Sequence, residues 1–132
     1  MMRFLLDTHI WLWSSREPHK LTSQIQETLA DTENSLFLSP ISIWEVMILL
    51  EKKRLDMHED FAEWFARTID DLGLVEAGLD WKVAHELRYI LPQHKDPADR
   101  FLAATAIAHD LILVTADPRL MNVPGLKVLA NI

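Results

Sequence analysis

Leu111-Ile112-Leu113-Val114-Thr115 decides the fold: four successive apolar residues and a threonine, followed directly by Ala116-Asp117-Pro118. A strand exposed on one face alternates apolar and polar residues, whereas a run apolar at every position suits a strand covered on both faces, as in a parallel sheet. Working outward, similar short runs recur at Arg3 to Leu6, Leu36 to Leu38, Leu74 to Val75 and Lys127 to Leu129. Helical patterns separate them. Ser23-Gln24-Ile25-Gln26 has capping-box spacing and Ile25 pairs with Leu29 one turn on. Asp60, Asp80 and Asp96 stand at N-cap positions, with Pro97 at the first position of the helix through Phe101, Leu102, Thr105 and Ala108. Ile41 to Leu50 is also helical in character, with Ser42 as its expected cap. Strands alternating with helices predict an α/β fold around a central, mostly parallel sheet.

Composition narrows the chemistry. The chain has 132 residues, 49% of them hydrophobic, and no internal repeat or Gly/Ser-rich linker, so a single domain over residues 1–132 is expected. With no cysteine, disulfides and thiolate metal sites are excluded, and any metal must be held by oxygen or imidazole. The six histidines show no H-x-H or H-E-x-x-H spacing. Phe4-Leu5-Leu6 meets Asp7 too soon for a signal-peptide core or membrane span, and a cytoplasmic protein without membrane association is expected. The net charge of −7 argues against a broad basic surface for nucleic acid and favours a basic partner segment.

Four acids belong to one edge of such a sheet. In right-handed β-α-β crossovers, strand C-termini and helix N-termini meet at the same edge, where ligands bind. Asp7 closes the first strand and Asp117 follows the Leu111 to Thr115 strand; Glu45 is expected in the first turn or so of its helix and Asp99 in the first turn of its own. Asp99 could complete a helix cap and Asp117 a turn, but Asp7, ending a buried apolar strand, would be costly without a partner. Clustered carboxylates repel unless they take up protons or a cation neutralises them. Oxygen-only donors suit Mg²⁺, with Mn²⁺ also possible, and such a site fits phosphodiester hydrolysis. Asp96 is best explained as a helix cap.

Those residues carry a resemblance. Phe4-Leu5-Leu6-Asp7-Thr8-His9, Ser39-Pro40-Ile41-Ser42-Ile43-Trp44-Glu45, His94-Lys95-Asp96-Pro97-Ala98-Asp99-Arg100 and Leu113-Val114-Thr115-Ala116-Asp117 resemble, in order, the four motifs of PIN-domain proteins of the VapC toxin type. The resemblance spans nearly the whole chain. It implies a three-layer α/β/α fold with a five-stranded sheet, and an endoribonuclease toxin of a type II toxin-antitoxin pair. Asp7, Glu45, Asp99 and Asp117 would then hold one or two Mg²⁺ ions, supported by the hydroxyls of Thr8, Ser42 and Thr115. It also implies an RNA substrate, a homodimer and a small cognate antitoxin whose C-terminal segment, often carrying Arg, blocks the site. Retention of the fold as a non-catalytic partner-binding module is the competing expectation.

The remaining signals have plainer readings. Trp11, Trp13, Trp44, Trp64 and Trp81 are expected in the core or at an interface rather than stacked on bases. Arg16, Lys95, Arg100 and Arg119 could form a basic rim, although exposed charges are usually just solvated.

Overall fold

Five short strands carry the fold: β1 (Arg3–Leu6), β2 (Ser35–Leu38), β3 (Val75–Glu76), β4 (Ile112–Thr115) and β5 (Val128–Ala130). They form one sheet in the order β3-β2-β1-β4-β5, with every neighbouring pair parallel, so the sheet is wholly rather than mostly parallel. The structure, a computed structural model, describes residues 1–90 and 95–132; Pro92 and His94, the latter part of the third motif, lie outside them.

Alternation along the strands builds two cores. Phe4 and Leu6 of β1, Leu36 and Leu38 of β2 and Val114 of β4 face one side, where they pack on α1 (Thr8–Arg16), α2 (Ser23–Ala30), α3 (Pro40–Glu51) and α4 (Phe61–Leu72). Leu5 and Leu113 face the other side and pack on α5 (Trp81–Glu86) and α6 (Pro97–Ala108). Successive strand residues point to opposite faces, so an apolar run fills both cores at once and produces a three-layer α/β/α architecture. Leu5, Leu6 and Leu113 are fully buried; truncating one to Ala costs about 2–5 kcal/mol. Two tryptophans belong to the first core. Trp11 and Trp64 are fully buried with ring centroids 4.7 Å apart, their indole N–H groups donating to Thr68 and Ser15. Trp44 and Trp81 are exposed instead.

Local starts differ from expectation in two places. The cap of α2 is Thr22, whose hydroxyl accepts from the Ile25 amide, so Ser23 is already the first helical residue. The cap of α3 is Ser39, accepting from the Ile41 amide, with Pro40 at the first helical position. Proline fixes φ and lacks the amide that a first-turn residue would leave unsatisfied, so it starts this helix three residues before Ser42. Ser42 is therefore free of capping and lies buried inside the helix. The Asp60, Asp80 and Asp96 caps stand as expected. Helix α4 ends on Gly73 at φ 62°, ψ 39°, the left-handed conformation that lets the chain turn into β3.

The strand order has a functional consequence. From β1 the chain builds outward to β2 and β3 on one side, and β4 and β5 lie on the other, so the switch point falls between β1 and β4. In open parallel sheets a crevice forms at the carboxyl ends of the strands flanking that point.

Candidate metal centre

Asp7 stands at the crevice because it is both the end of β1 and the cap of α1. Its amide donates to the Val114 carbonyl at 2.9 Å, extending the β1–β4 ladder by one bond, and its own carbonyl receives the Trp11 amide that opens the helix. Its side chain is almost wholly buried. Oδ1 accepts from the Thr8 amide at 2.7 Å and Oδ2 from the Thr115 hydroxyl at 2.5 Å. Thr115 is the last residue of β4, and its hydroxyl oxygen also accepts from the Asp117 amide at 3.0 Å. One threonine thus fixes the first acid and orients the turn carrying the last.

Glu45 approaches from α3, in its second turn rather than its first, because the helix starts at Pro40. One full turn deeper, the carboxylate still reaches the cavity, where Oε1 accepts from the Thr8 hydroxyl at 2.5 Å. Thr8 Oγ1 also lies 2.9 Å from Ser42 Oγ. A hydroxyl carries one hydrogen; with Thr8's given to Glu45, the Ser42 hydroxyl supplies the second contact. Asp99 is in the first turn of α6, buried at 6% exposure. Asp117 caps the short 3-10 turn Pro118–Leu120 and accepts from the Arg119 amide.

These acids line one cavity of about 300 Å³ together with Asp96, His9, Trp13, Ala116 and Arg119. Larger hollows lie elsewhere, among them a largely apolar one between α3, α4 and β3. Asp96 keeps its capping bond to the Ala98 amide while forming part of the wall. The electrostatics are those of charges crowded out of water. Burial is the chief cause raising Asp7, opposed by its bonds from Thr115 and Thr8. Burial likewise raises Glu45, opposed by the Thr8 hydroxyl. Asp99 is pushed up to about 7 by burial and then by the charges of Asp96, Asp7 and Asp117, with Arg119 opposing.

Among the described residues, no three acidic or imidazole side chains converge into a coordination sphere. Hydrogen bonding gives a physical reason. Asp7 and Glu45 are turned onto hydroxyls, and Asp99 and Asp117 onto the guanidinium of Arg119, at 3.2 and 2.7 Å from Nη2. Reading Arg119 as a solvated rim charge missed this contact. The donor set nonetheless fits a hard divalent cation: oxygen atoms only, poorly hydrated, mutually repelling, and already attracting one positive group. His9 and Trp13 border the cavity, with ring centroids 5.8 Å apart. Arg16 bonds elsewhere, to the Asp56 carbonyl.

Comparison with known proteins agrees with the fold. The PIN domain family matches residues 4–126. Ribonuclease VapC22 of Mycobacterium tuberculosis is 33% identical over 124 residues, covering 92% of each chain. Two solved structures share the fold at low identity. VapBC2 from Rickettsia felis, bound to a DNA fragment from its promoter, matches with a TM-score of 0.71 at 19% identity and 98% of both chains. VapBC-1 from nontypeable Haemophilus influenzae matches with a TM-score of 0.69 at 13% identity, again over 98% of both. The four sequence motifs, the parallel sheet and the acid-lined crevice therefore have one explanation: the chain belongs to the PIN-domain family, among its VapC-type members.

Proposed function

We propose that this chain is a Mg²⁺-dependent endoribonuclease, able to use Mn²⁺, that acts as the toxin of a type II toxin-antitoxin pair. The observation that carries the reading is the arrival of Asp7, Glu45, Asp99 and Asp117 in one cavity from four separate elements. In this proposal the four acids hold the metal, Asp7 and Asp99 directly and Glu45 and Asp117 directly or through water. A bound divalent ion would supply Lewis acidity and lower the pKa of a coordinated water. The protein's part is to aim the acids and to offset part of the cost that burial puts on their charged forms. Thr115 and the Thr8 amide donate to Asp7, and the Thr8 hydroxyl to Glu45, each bond favouring the charged form that binds metal. Ser42 steadies Thr8 from behind.

The same reading extends to partners. A small cognate antitoxin is supported by the acidity of cavity and chain, which suits a basic segment, and by the likeness to VapBC structures. A homodimer of single domains spanning 1–132 is supported by apolar side chains left in solvent, with Trp44 50% and Trp81 93% exposed. Among the described residues no helix is long and apolar enough to cross a membrane. A cytoplasmic setting follows from an RNA substrate.

Incubating the purified chain with an RNA panel, with Mg²⁺, with Mn²⁺ and with EDTA, tests the activity. Cleavage is expected only with metal and is expected to be lost in Asp7→Asn and Asp99→Asn. Cleavage that persists in EDTA, or in both variants, would overturn the mechanism. Metal-replete wild type cutting no RNA would favour a non-catalytic binding module.

A further inference from the structure

The cavity already holds one cation, and it belongs to the chain. Arg119 Nη2 lies 2.7 Å from Asp117 Oδ2 and 3.2 Å from Asp99 Oδ2, while Nε lies 3.1 Å from each oxygen of Asp117. A single guanidinium thus engages both oxygens of one acid and one oxygen of another that comes from a different helix. The local backbone explains why this residue can do so. Asp117 caps the 3-10 turn, Pro118 fixes its first φ, and fully buried Leu120 anchors its end. The Arg119 amide then donates to Asp117 Oδ1 at 2.9 Å, and the side chain folds back onto the same carboxylate.

We propose that Arg119 and a divalent ion are alternative occupants of Asp99 and Asp117: Arg119 is a positioning residue that holds these two acids together before metal enters and must be displaced for metal to bind. The inference rests on the metal-dependent reading above. Three observations support exclusion rather than coexistence. Both oxygens of Asp117 and Oδ2 of Asp99 already accept from the guanidinium, so a metal at Asp117 would compete for an engaged oxygen. A dication coordinated there would stand within a few ångströms of a guanidinium, like charge against like charge. And the Arg119 side chain is 63% exposed, so its tip can swing into water without stranding a buried charge. Asp7 and Glu45 offer the contrast, since their partners are neutral hydroxyls and an amide, which a metal ion does not repel.

Isothermal titration of Mn²⁺ into the full chain, without RNA, tests this directly. Arg119→Gln and Arg119→Ala remove the competing charge. Arg67→Gln removes an equal charge from the exposed Arg67–Glu59 pair, away from the cavity. Both Arg119 variants are expected to bind Mn²⁺ roughly three- to tenfold more tightly than wild type, with Arg67→Gln unchanged. In thermal melts, both are expected to gain more from saturating Mn²⁺ than wild type does. Unchanged or weaker binding in the Arg119 variants, or equal tightening in Arg67→Gln, would overturn the inference and leave the metal reading standing. Mn²⁺ binding absent from wild type and all variants would remove the metal reading itself.

Discussion

On the β1 side of the cavity, Asp7 and Glu45 rest on the buried hydroxyls of Thr115 and Thr8, whereas on the β4 side Asp99 and Asp117 share one guanidinium that is mostly in solvent. Both arrangements answer the same problem, the cost of holding several carboxylates out of water. They answer it differently. Threonine hydroxyls are neutral, short and locked by burial, so they can keep their bonds when a cation arrives. A guanidinium cancels charge more fully but occupies the acids it serves. The first half of the cavity is built to stay as it is, and the second is built to exchange.

The largest expected effect comes from breaking the fixed half. Asp7→Asn keeps the shape and the bond from Thr8 while removing the charge. Loss of several kcal/mol of electrostatic stabilisation corresponds to about a thousandfold lower kcat on RNA. Asp117→Asn, on the exchangeable half and 21% exposed, is expected to cost less, on the order of ten- to a hundredfold. Single-turnover cleavage under saturating Mg²⁺ measures both. Equal losses at the two positions would mean that the halves do not differ in function.

Next in size is the hydroxyl that joins the halves. Thr115 is fully buried, donates to Asp7 and accepts from the Asp117 amide, so Thr115→Val removes two bonds with little change of shape. Losing both bonds is expected to destabilise the protein by about 1–3 kcal/mol and to weaken Mg²⁺ binding roughly ten- to a hundredfold. Thr115→Ser, which retains the hydroxyl, is expected to recover most of the binding. If valine and serine behave alike, the hydroxyl is not what aims Asp7.

How much of this could be read from the chain follows the same division. The fixed half was largely legible: an apolar run ending in Asp7, and another ending in Thr115 two residues before Asp117, are local patterns, and parallel topology places their ends together. The resemblance also named Thr8, Ser42 and Thr115 in advance, although the particular pairing of Thr8 with Glu45 spans 37 residues and no local pattern encodes it. With Ser42 as cap Glu45 falls in the first turn of its helix; Ser39-Pro40 is the stronger start signal and lengthens the helix by three residues ahead of it. The exchangeable half was hidden by its key residue. Arg119 in isolation is an ordinary surface charge. The signal available was Asp117-Pro118-Arg119, a spacing at which a proline-started turn returns both amide and side chain to the preceding acid.

The smallest effect is one of pH, and it separates the halves without any substrate. Asp99 is raised from 3.8 to about 7, so between those values the folded chain holds a proton that the unfolded chain has released. Stability then falls as pH rises through that window and levels off above it, opposite to the usual behaviour of a salt-bridged aspartate. Metal-free wild type is therefore expected to melt several degrees higher near pH 5 than near pH 7.5. Asp7 and Glu45 shift in the same direction and add to the slope. Asp99→Asn cannot ionise and is expected to remove much of that slope while melting higher at neutral pH, because no buried carboxylate then has to ionise. Saturating Mn²⁺ is expected to flatten the wild-type slope, because metal favours the ionised carboxylates. A metal-free wild type and an Asp99→Asn variant whose melting temperatures run parallel from pH 5 to pH 7.5 would show that Arg119 neutralises Asp99 more completely than its burial suggests. The exchangeable half would then be as firmly settled as the fixed one.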